Sequence, residues 1–378
     1  MEIKVIGTSH AGYAAPKEEF DAFGGHAAGV CYMAGDFDAL LNEAPEKTAR
    51  RVKQTKESGH HSVYDHVFIN MYLDKIPRIL EIMLDNERFM VSSVKSGRYT
   101  LHPLPDDEQK LYDKWLARFQ DLIRAEYAEK TPNFFTENKI KKLAMENARY
   151  LTSIFTRVSM IHTVSYRQFN YIYGFLKGFL EKDSESKFVS AIKPFVCEFL
   201  TQMEATGYVD EGLTDTGKSR GLSLFGEPVE EYFGDVYAAN YRCSFTCYAH
   251  LNRHRTLKYR LRETQDIVWF IPEIIQDNEE LVREWNEDLN SLADNFPQAR
   301  IFEVSEMGNY DDFILKVIER KCSCVQLETT RVVNDIIKKY AEVKPDLAKM
   351  LKGARCTFGY KCPSPCGWVE AIKETRKV

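Results

Sequence analysis

The chain repeats itself between its two halves. Residues 77–99 read as a helix followed by NERFMVSSVKSGRY, and residues 242–263 read as a helix followed by NRHRTLKYRLRE. Asn147-Ala-Arg149 then introduces a strand and helix, and Gln298-Ala-Arg300 introduces a shorter version of the same. A self-similarity spaced by about half the chain predicts a duplicated domain, because solenoid repeats recur at periods of roughly 20–50 residues.

The expected fold is α+β: two tandem related domains, each a mostly antiparallel sheet packed with long helices. The expected domains are 1–205 and 229–378, joined by a linker over 206–228 that is rich in Gly, Ser, Thr and Asp. Residues 3–7 and 67–73 read as strands, and residues 149–166, rich in Thr, Val, Ile, Phe and Tyr, as another. Helical periodicity runs through 37–57, through Ile79, Leu80, Met83 and Leu84 after Pro77, and through 106–129, 167–181 and 188–204. The second half predicts a helix into Arg253, helices near 272–294, a strand near 300–304 and long helices through 311–351.

Charge and apolar runs exclude several partners. The net charge of −5 gives no global case for nucleic acid or an anionic membrane, so any anion must be gripped locally. No apolar run approaches the roughly 20 residues of a membrane helix, and MEIKVIGTSHAGY lacks the layout of a signal peptide. A cytoplasmic protein is expected. Nine cysteines in 378 residues are too dilute for a disulfide scaffold. Cys356, Cys362 and Cys366 cluster late in the chain without a standard C-x2-C pair or a nearby His, so free thiols are favoured over a metal site. Gly212-LTDT-Gly217-Lys218-Ser219 fits a phosphate-loop pattern but lacks a preceding buried strand and a following helix, so it is set aside.

The chemically pointed stretch is Arg253-His254-Arg255. Two guanidiniums cannot both be buried unpaired, and their planar forks match a phosphate or carboxylate. A solvated basic helix end is the bland alternative. Other pieces, in order, give that triplet a context. They are Ala27-Ala-Gly-Val-Cys-Tyr32, Ser58-Gly-His-His-Ser-Val-Tyr-Asp-His66, Ser96-Gly-Arg-Tyr-Thr100 and Glu146-Asn-Ala-Arg-Tyr150 with Thr163-Val-Ser-Tyr-Arg167. The second half adds Glu319-Arg-Lys-Cys-Ser-Cys-Val-Gln-Leu-Glu328 and a Cys-rich stretch over 353–368.

Together these resemble the flavin-dependent thymidylate synthases, whose signature reads RHRxxSxNxxSxRY. The signature is split. In the first copy its opening falls on Asn86, Glu87 and Arg88, while its end survives as Ser96 and Arg98. In the second copy the opening survives, while the closing Ser and Arg fall on Glu263 and Gln265, and Lys258 and Arg260 replace the internal Ser and Asn.

The resemblance implies reductive methylation of dUMP to dTMP, with FAD as cofactor and NADPH and methylenetetrahydrofolate as co-substrates. It implies Arg320 as the catalytic residue that polarises the uracil. Ser96, Arg98, Arg149 and Arg88 would bind nucleotide, and His60, Arg253, His254, Arg255 and Arg167 would bind flavin. Because family members are homotetramers, it also implies a homodimer that forms a pseudo-tetramer, with a composite site from both copies. The alternative is a non-catalytic or altered-substrate nucleotide- or flavin-binding paralogue.

Overall fold

The computed structural model describes residues 1–9, 15–32, 36–95, 103–127, 129–130, 134–214, 221–351, 353–362 and 375–378. In chain order the elements begin with β1 (Glu2–Thr8), α1 (Lys17–Tyr32), α2 (Phe37–Leu41), α3 (Pro45–Glu57), a 3-10 turn (His61–His66), β2 (Phe68–Pro77), α4 (Arg78–Asn86) and β3 (Met90–Val94). Next come α5 (Asp106–Tyr127), α6 (Glu137–Ala148), a 3-10 turn (Arg149–Leu151), β4 (Arg157–Ser165), α7 (Tyr166–Glu181), α8 (Lys187–Ala205) and α9 (Glu211–Thr214). The second half holds β5 (Tyr232–Phe233), β6 (Val236–Ser244), α10 (Phe245–Leu251), β7 (Lys258–Glu263), α11 (Glu279–Ser291), β8 (Ile301–Asn309), α12 (Tyr310–Arg320), α13 (Leu327–Val343) and α14 (Pro345–Ala348).

The expected α+β class holds, and the duplication is visible in the topology. One sheet has the order β1-β2-β4-β3 and the other β5-β6-β8-β7, with every pairing antiparallel. The two orders become identical when β1 is matched to β5, β2 to β6, β3 to β7 and β4 to β8. In both, a helix joins the second and third strands, an insertion precedes the fourth, and another helix follows it.

The chain divides into two compact units that interleave, rather than following one another as 1–205 and 229–378. The first comprises Met1–Lys95 and Arg157–Ser223, and the second Ser96–Thr156 and Leu224–Val378. The helical insertion of the first copy thus folds with the second copy.

In the first unit, β2 alternates buried Ile69, Met71 and Leu73 with exposed Phe68 and Tyr72, as a strand covered on one face must. Helix α1 packs so closely on the 61–66 turn that a Cβ at Gly24 would lie 2.5 Å from Tyr64, which explains a helical glycine there. Lys56 binds Asp21 at 2.7 Å and Asp210 at 2.9 Å, tying α1 and α3 to the segment after α8. That segment was expected to be linker. Parts of it are packed instead: Tyr208 is buried with its hydroxyl donating to the Ala15 carbonyl at 3.1 Å, and Leu213 is fully buried. Gly212 sits within α9, so the phosphate-loop pattern has no strand before it.

In the second unit, α5, α6 and α11 enclose an apolar cluster. Trp115 and Trp285 meet edge-to-face at 4.8 Å, and Phe119 packs on Trp285 at 5.7 Å. Such pairs contribute about 0.5–1.5 kcal/mol beyond area burial. Trp115 Nε1 donates to Asp288 at 2.7 Å, and Lys114 binds Glu284 at 2.8 Å. The paired motif segments zip together beside this core. Ala299 N donates to the Tyr150 carbonyl at 2.8 Å, Gln298 N to the Thr152 carbonyl at 2.8 Å, and Ile154 N to the Phe296 carbonyl at 2.9 Å. This zipper also corrects the expected strand over 149–166, which starts at Arg157, because the preceding residues turn to meet the 296–300 segment.

Two further expectations change. The helix over 37–57 is two helices broken at Pro45, which cannot donate a helical N–H. The stretch 242–263 holds the expected helix into Arg253 as α10, but it opens on the end of β6 and closes on β7, strands that were not expected.

Candidate functional site

The second unit carries a buried polar chain that reaches one of the expected site residues, Arg149. It starts at Ser244, which ends β6 and caps α10 by accepting from Cys247 N at 3.0 Å. Ser244 also donates twice to Glu328, from N at 2.8 Å and from Oγ at 2.6 Å. Tyr150 OH donates to the same carboxylate at 2.7 Å. Gln326 Nε2 donates to Tyr150 OH, and Arg149 Nη2 donates to Gln326 Oε1. Burial raises the Glu328 carboxyl despite these donors, and raises Tyr150 well above the usual phenol range. Arg149 therefore does not stand at a strand start as expected. It sits on a 3-10 turn, where residues of α13 and its N-cap fix it.

Arg320 ends α12 with its side chain only 10% exposed. Its Nη2 donates to the His250 carbonyl at 3.2 Å, and Nη1 lies 3.5 Å from Glu319. The cluster continues to His254, whose Nε2 is 3.5 Å from Glu319 Oε2 but makes no hydrogen bond among the described residues. Burial, followed by the positive charges of Arg320, Lys316 and Arg255, pushes the His254 imidazole down to about 2. It is neutral at any ordinary pH. Arg253 and Arg255 flank it, half-buried, in the α10–β7 connection.

Sequence reasoning missed the groups beneath Arg320. Lys316 Nζ binds Glu306, and both side chains are fully buried. Tyr237 and Tyr241 donate their hydroxyls to the same carboxylate. Burial pulls the Lys316 ammonium down. The pair survives burial because Lys316 and two tyrosine hydroxyls share the carboxylate's charge; a lone ion there would cost several kcal/mol. The available signal was Lys316 standing three residues after Phe313 on the apolar stripe of α12, a position at which a solvated lysine is out of place.

The first unit holds His60, Arg88 and Arg167. His60 precedes the 61–66 turn, with its N–H donating to the Thr55 carbonyl at 2.9 Å. Asp65 of that turn forms an ion pair with Arg167, whose guanidinium lies 5.5 Å from the centre of the Tyr171 ring. Arg88 is half-buried between α4 and β3. Ser96 and Arg98 lie outside the described residues, as does Cys366. Cys356 and Cys362 are exposed.

The two split signature halves differ physically. In the first copy, Asn86 and Glu87 are buried and engaged: Asn86 Nδ2 donates to Ser223 Oγ at 2.8 Å, and Glu87 accepts from Ser223 N. Their side chains are sealed inside the unit. In the second copy, Glu263, standing where the family has Ser, forms a 2.6 Å ion pair with Arg300, the counterpart of Arg149. The substitution that removes the signature's end thus also neutralises the arginine it would work beside.

The described geometry therefore combines an antiparallel sheet-and-helix fold with buried arginines and a neutral histidine suited to anions. Residues 18–176 match the family model of the Thymidylate synthase complementing protein. No curated protein matches the chain. The solved structures it is similar to include the flavin-dependent thymidylate synthase ThyX from Helicobacter pylori complexed with FAD and dUMP, at 15% identity and TM-score 0.30, covering 55% of this chain and 99% of that one. Another is the UMP/dUMP methylase PolB from Streptomyces cacaoi bound with 5-Br dUMP, at 17% identity and TM-score 0.34, covering 54% of this chain and 87% of that one. Among the described residues no helix is long and apolar enough to cross a membrane.

Proposed function

We propose that the chain is a flavin-dependent thymidylate synthase-like enzyme that methylates dUMP to dTMP, with methylenetetrahydrofolate as carbon donor and NADPH as reductant, on a composite site drawn from both copies. The carrying observation is the hydrogen-bonded chain from Arg149 through Gln326 and Tyr150 to Glu328, because it joins a first-copy arginine to the second-copy motif that begins at Arg320. The complementary losses agree: the spent halves are the sealed Asn86–Glu87 and the quenched Arg300.

The residues around Arg253 fit a flavin diphosphate. Two half-buried guanidiniums flank a neutral imidazole with an unsatisfied buried nitrogen, a donor set suited to an anion with adjoining neutral acceptors. FAD, when bound, would carry reducing equivalents from NADPH. Arg253, His254 and Arg255 would hold it; His60 and Arg167 are the first-unit candidates. Carbon 5 of uracil is a weak nucleophile, and Arg320 would stabilise the negative charge that develops on the ring carbonyls. Glu319 and the His250 carbonyl orient that guanidinium. Arg149, with Ser96, Arg98 and Arg88, would grip the nucleotide phosphate, and two chains would form a pseudo-tetramer.

The test is the absorbance of the purified protein with and without added FAD, followed by dTMP formation from dUMP. A yellow protein that bleaches with NADPH is expected, with turnover falling about 100-fold or more in Arg320→Ala. A colourless preparation that takes up no FAD would sink the reading. Flavin retention without dTMP formation would select the alternative, a nucleotide- or flavin-binding paralogue.

A further inference from the structure

The second sheet has two faces with different chemistry. Residue alternation sends Glu306 to the side of α12, where it meets Lys316, and sends Glu303 and Ser305 to the opposite face. On that opposite face the register aligns three side chains in each of two rows. Arg242, Glu303 and Arg262 form one row, and Asn240, Ser305 and Arg260 the next. The segment before β5 crosses these rows, with Leu224 accepting from Leu261 N at 2.7 Å and Val229 from Asn240 Nδ2 at 2.7 Å. Segment and sheet enclose a cleft of about 350 Å³ lined by Gly226, Pro228 and the side chains of both rows. That volume lies within the range of small-molecule sites, roughly 300–1,000 Å³.

Three guanidiniums line the cleft against one carboxylate. Glu303 is shared, accepting from Arg242 Nη2 at 2.7 Å and from Arg262 Nε and Nη2 at 3.0 and 2.6 Å, so each guanidinium keeps further N–H donors that Glu303 does not take. The Arg242 and Arg262 side chains remain 67% and 54% exposed. Glu227, 89% exposed, approaches Arg262 only to 3.9 Å. Arg260 donates to the backbone carbonyl of Glu227, a neutral acceptor that fixes its direction without cancelling its charge. Gly226 lets the crossing segment lie against this guanidinium, since a Cβ there would sit 3.1 Å from its Nε. Arg260 is thus held in place beside an opening, with Asn240 and Ser305 next to it as neutral polar partners.

Among the described residues, the first copy's sheet differs on this face. Its corresponding sheet face presents Phe68, Tyr72, Val91 and Ile161 to solvent. The cationic cleft faces away from the Lys316–Arg320 side of its sheet.

We propose that this cleft is a second ligand site, separate from the nucleotide-methylating site, which binds a small phosphorylated metabolite through Arg260 and the Arg242–Glu303–Arg262 row. Guanidiniums in a row match phosphate oxygens bidentately, and a phosphate shared between rows would complete the donors that Glu303 leaves open. The test is calorimetric titration of the full-length protein with pyrophosphate and with ribose 5-phosphate, alongside citrate as a carboxylate probe. Both phosphorylated probes should bind, citrate more weakly. Affinity should fall about tenfold or more in Arg260→Gln and in Arg242→Gln/Arg262→Gln, while persisting in Arg149→Ala and Arg253→Ala. Circular dichroism checks that each variant keeps the fold. Absence of binding, citrate binding as tightly as pyrophosphate, or unchanged affinity in Arg260→Gln would each overturn the proposal. Failure of flavin uptake or dTMP formation would leave this result standing, so the two readings fail independently.

Discussion

Glu108 sets a measurable pH dependence on the second unit. It stands in the first turn of α5, is 2% exposed, and accepts from Ser153 N at 3.1 Å. Burial raises its carboxyl to about 7, against an ordinary value of 4.5; the Ser153 N–H opposes the rise and Asp107 adds to it. Between those two values the unfolded chain has released the proton and the folded chain keeps it. Unfolding free energy then falls by about 1.36 kcal/mol per pH unit. Across about 2.5 units the loss is roughly 3 kcal/mol, complete once the pH passes 7. Glu108→Gln cannot ionise, so its stability lacks this descent. Urea denaturation of both proteins at pH 5, 6, 7 and 8 isolates the effect, because any constant offset from the altered hydrogen bond to Ser153 cancels in the pH-dependent difference. The variant should gain on the native protein by about 2–3 kcal/mol between the lowest and highest pH. A difference that stays flat, or that moves in favour of the native protein as pH rises, would refute the buried protonated carboxyl.

His254 works in the opposite direction. Its folded value of about 2 lies below the ordinary 6.5, so its contribution is present above pH 6.5 and is lost on acidification; by pH 5 the loss is about 2 kcal/mol. His254→Gln should remove that part of the acid sensitivity in the same denaturation series, and an unchanged acid limb would contradict the buried neutral imidazole. Trp285→Ala deletes a fully buried ring packed on Trp115 and Phe119, and should cost about 3–5 kcal/mol. Calorimetry should show a large drop in Tm for this variant, and a drop of a degree or less would mean the inserted helices do not share one core.

The grouping of several candidate site residues was legible because motif residues cluster in sequence. Arg253, His254, Arg255 and Arg320 fall on the buried polar cluster of the second unit, and Arg149 joins it through Gln326. The Lys316–Glu306 pair was not legible. A lysine and a glutamate ten residues apart read as solvated charges until the sheet brings two tyrosines onto the same carboxylate. The strands β6 and β7 were hidden for a related reason: β7 reads KYRLRE, whose charged positions look helical or loop-like unless an opposite face is known to be wet.

The sequence by itself determined that the fold is duplicated and α+β, because the two halves repeat the same order of local patterns. Tertiary structure alone decided where the copies divide. The first copy's insertion, residues 96–156, belongs by contact to the second unit, where Trp115 meets Trp285 and residues 150–154 pair with 296–299. Periodicity reports that a helix has an apolar face but not which partner covers it, and that choice placed Arg149 beside the motif of the other copy.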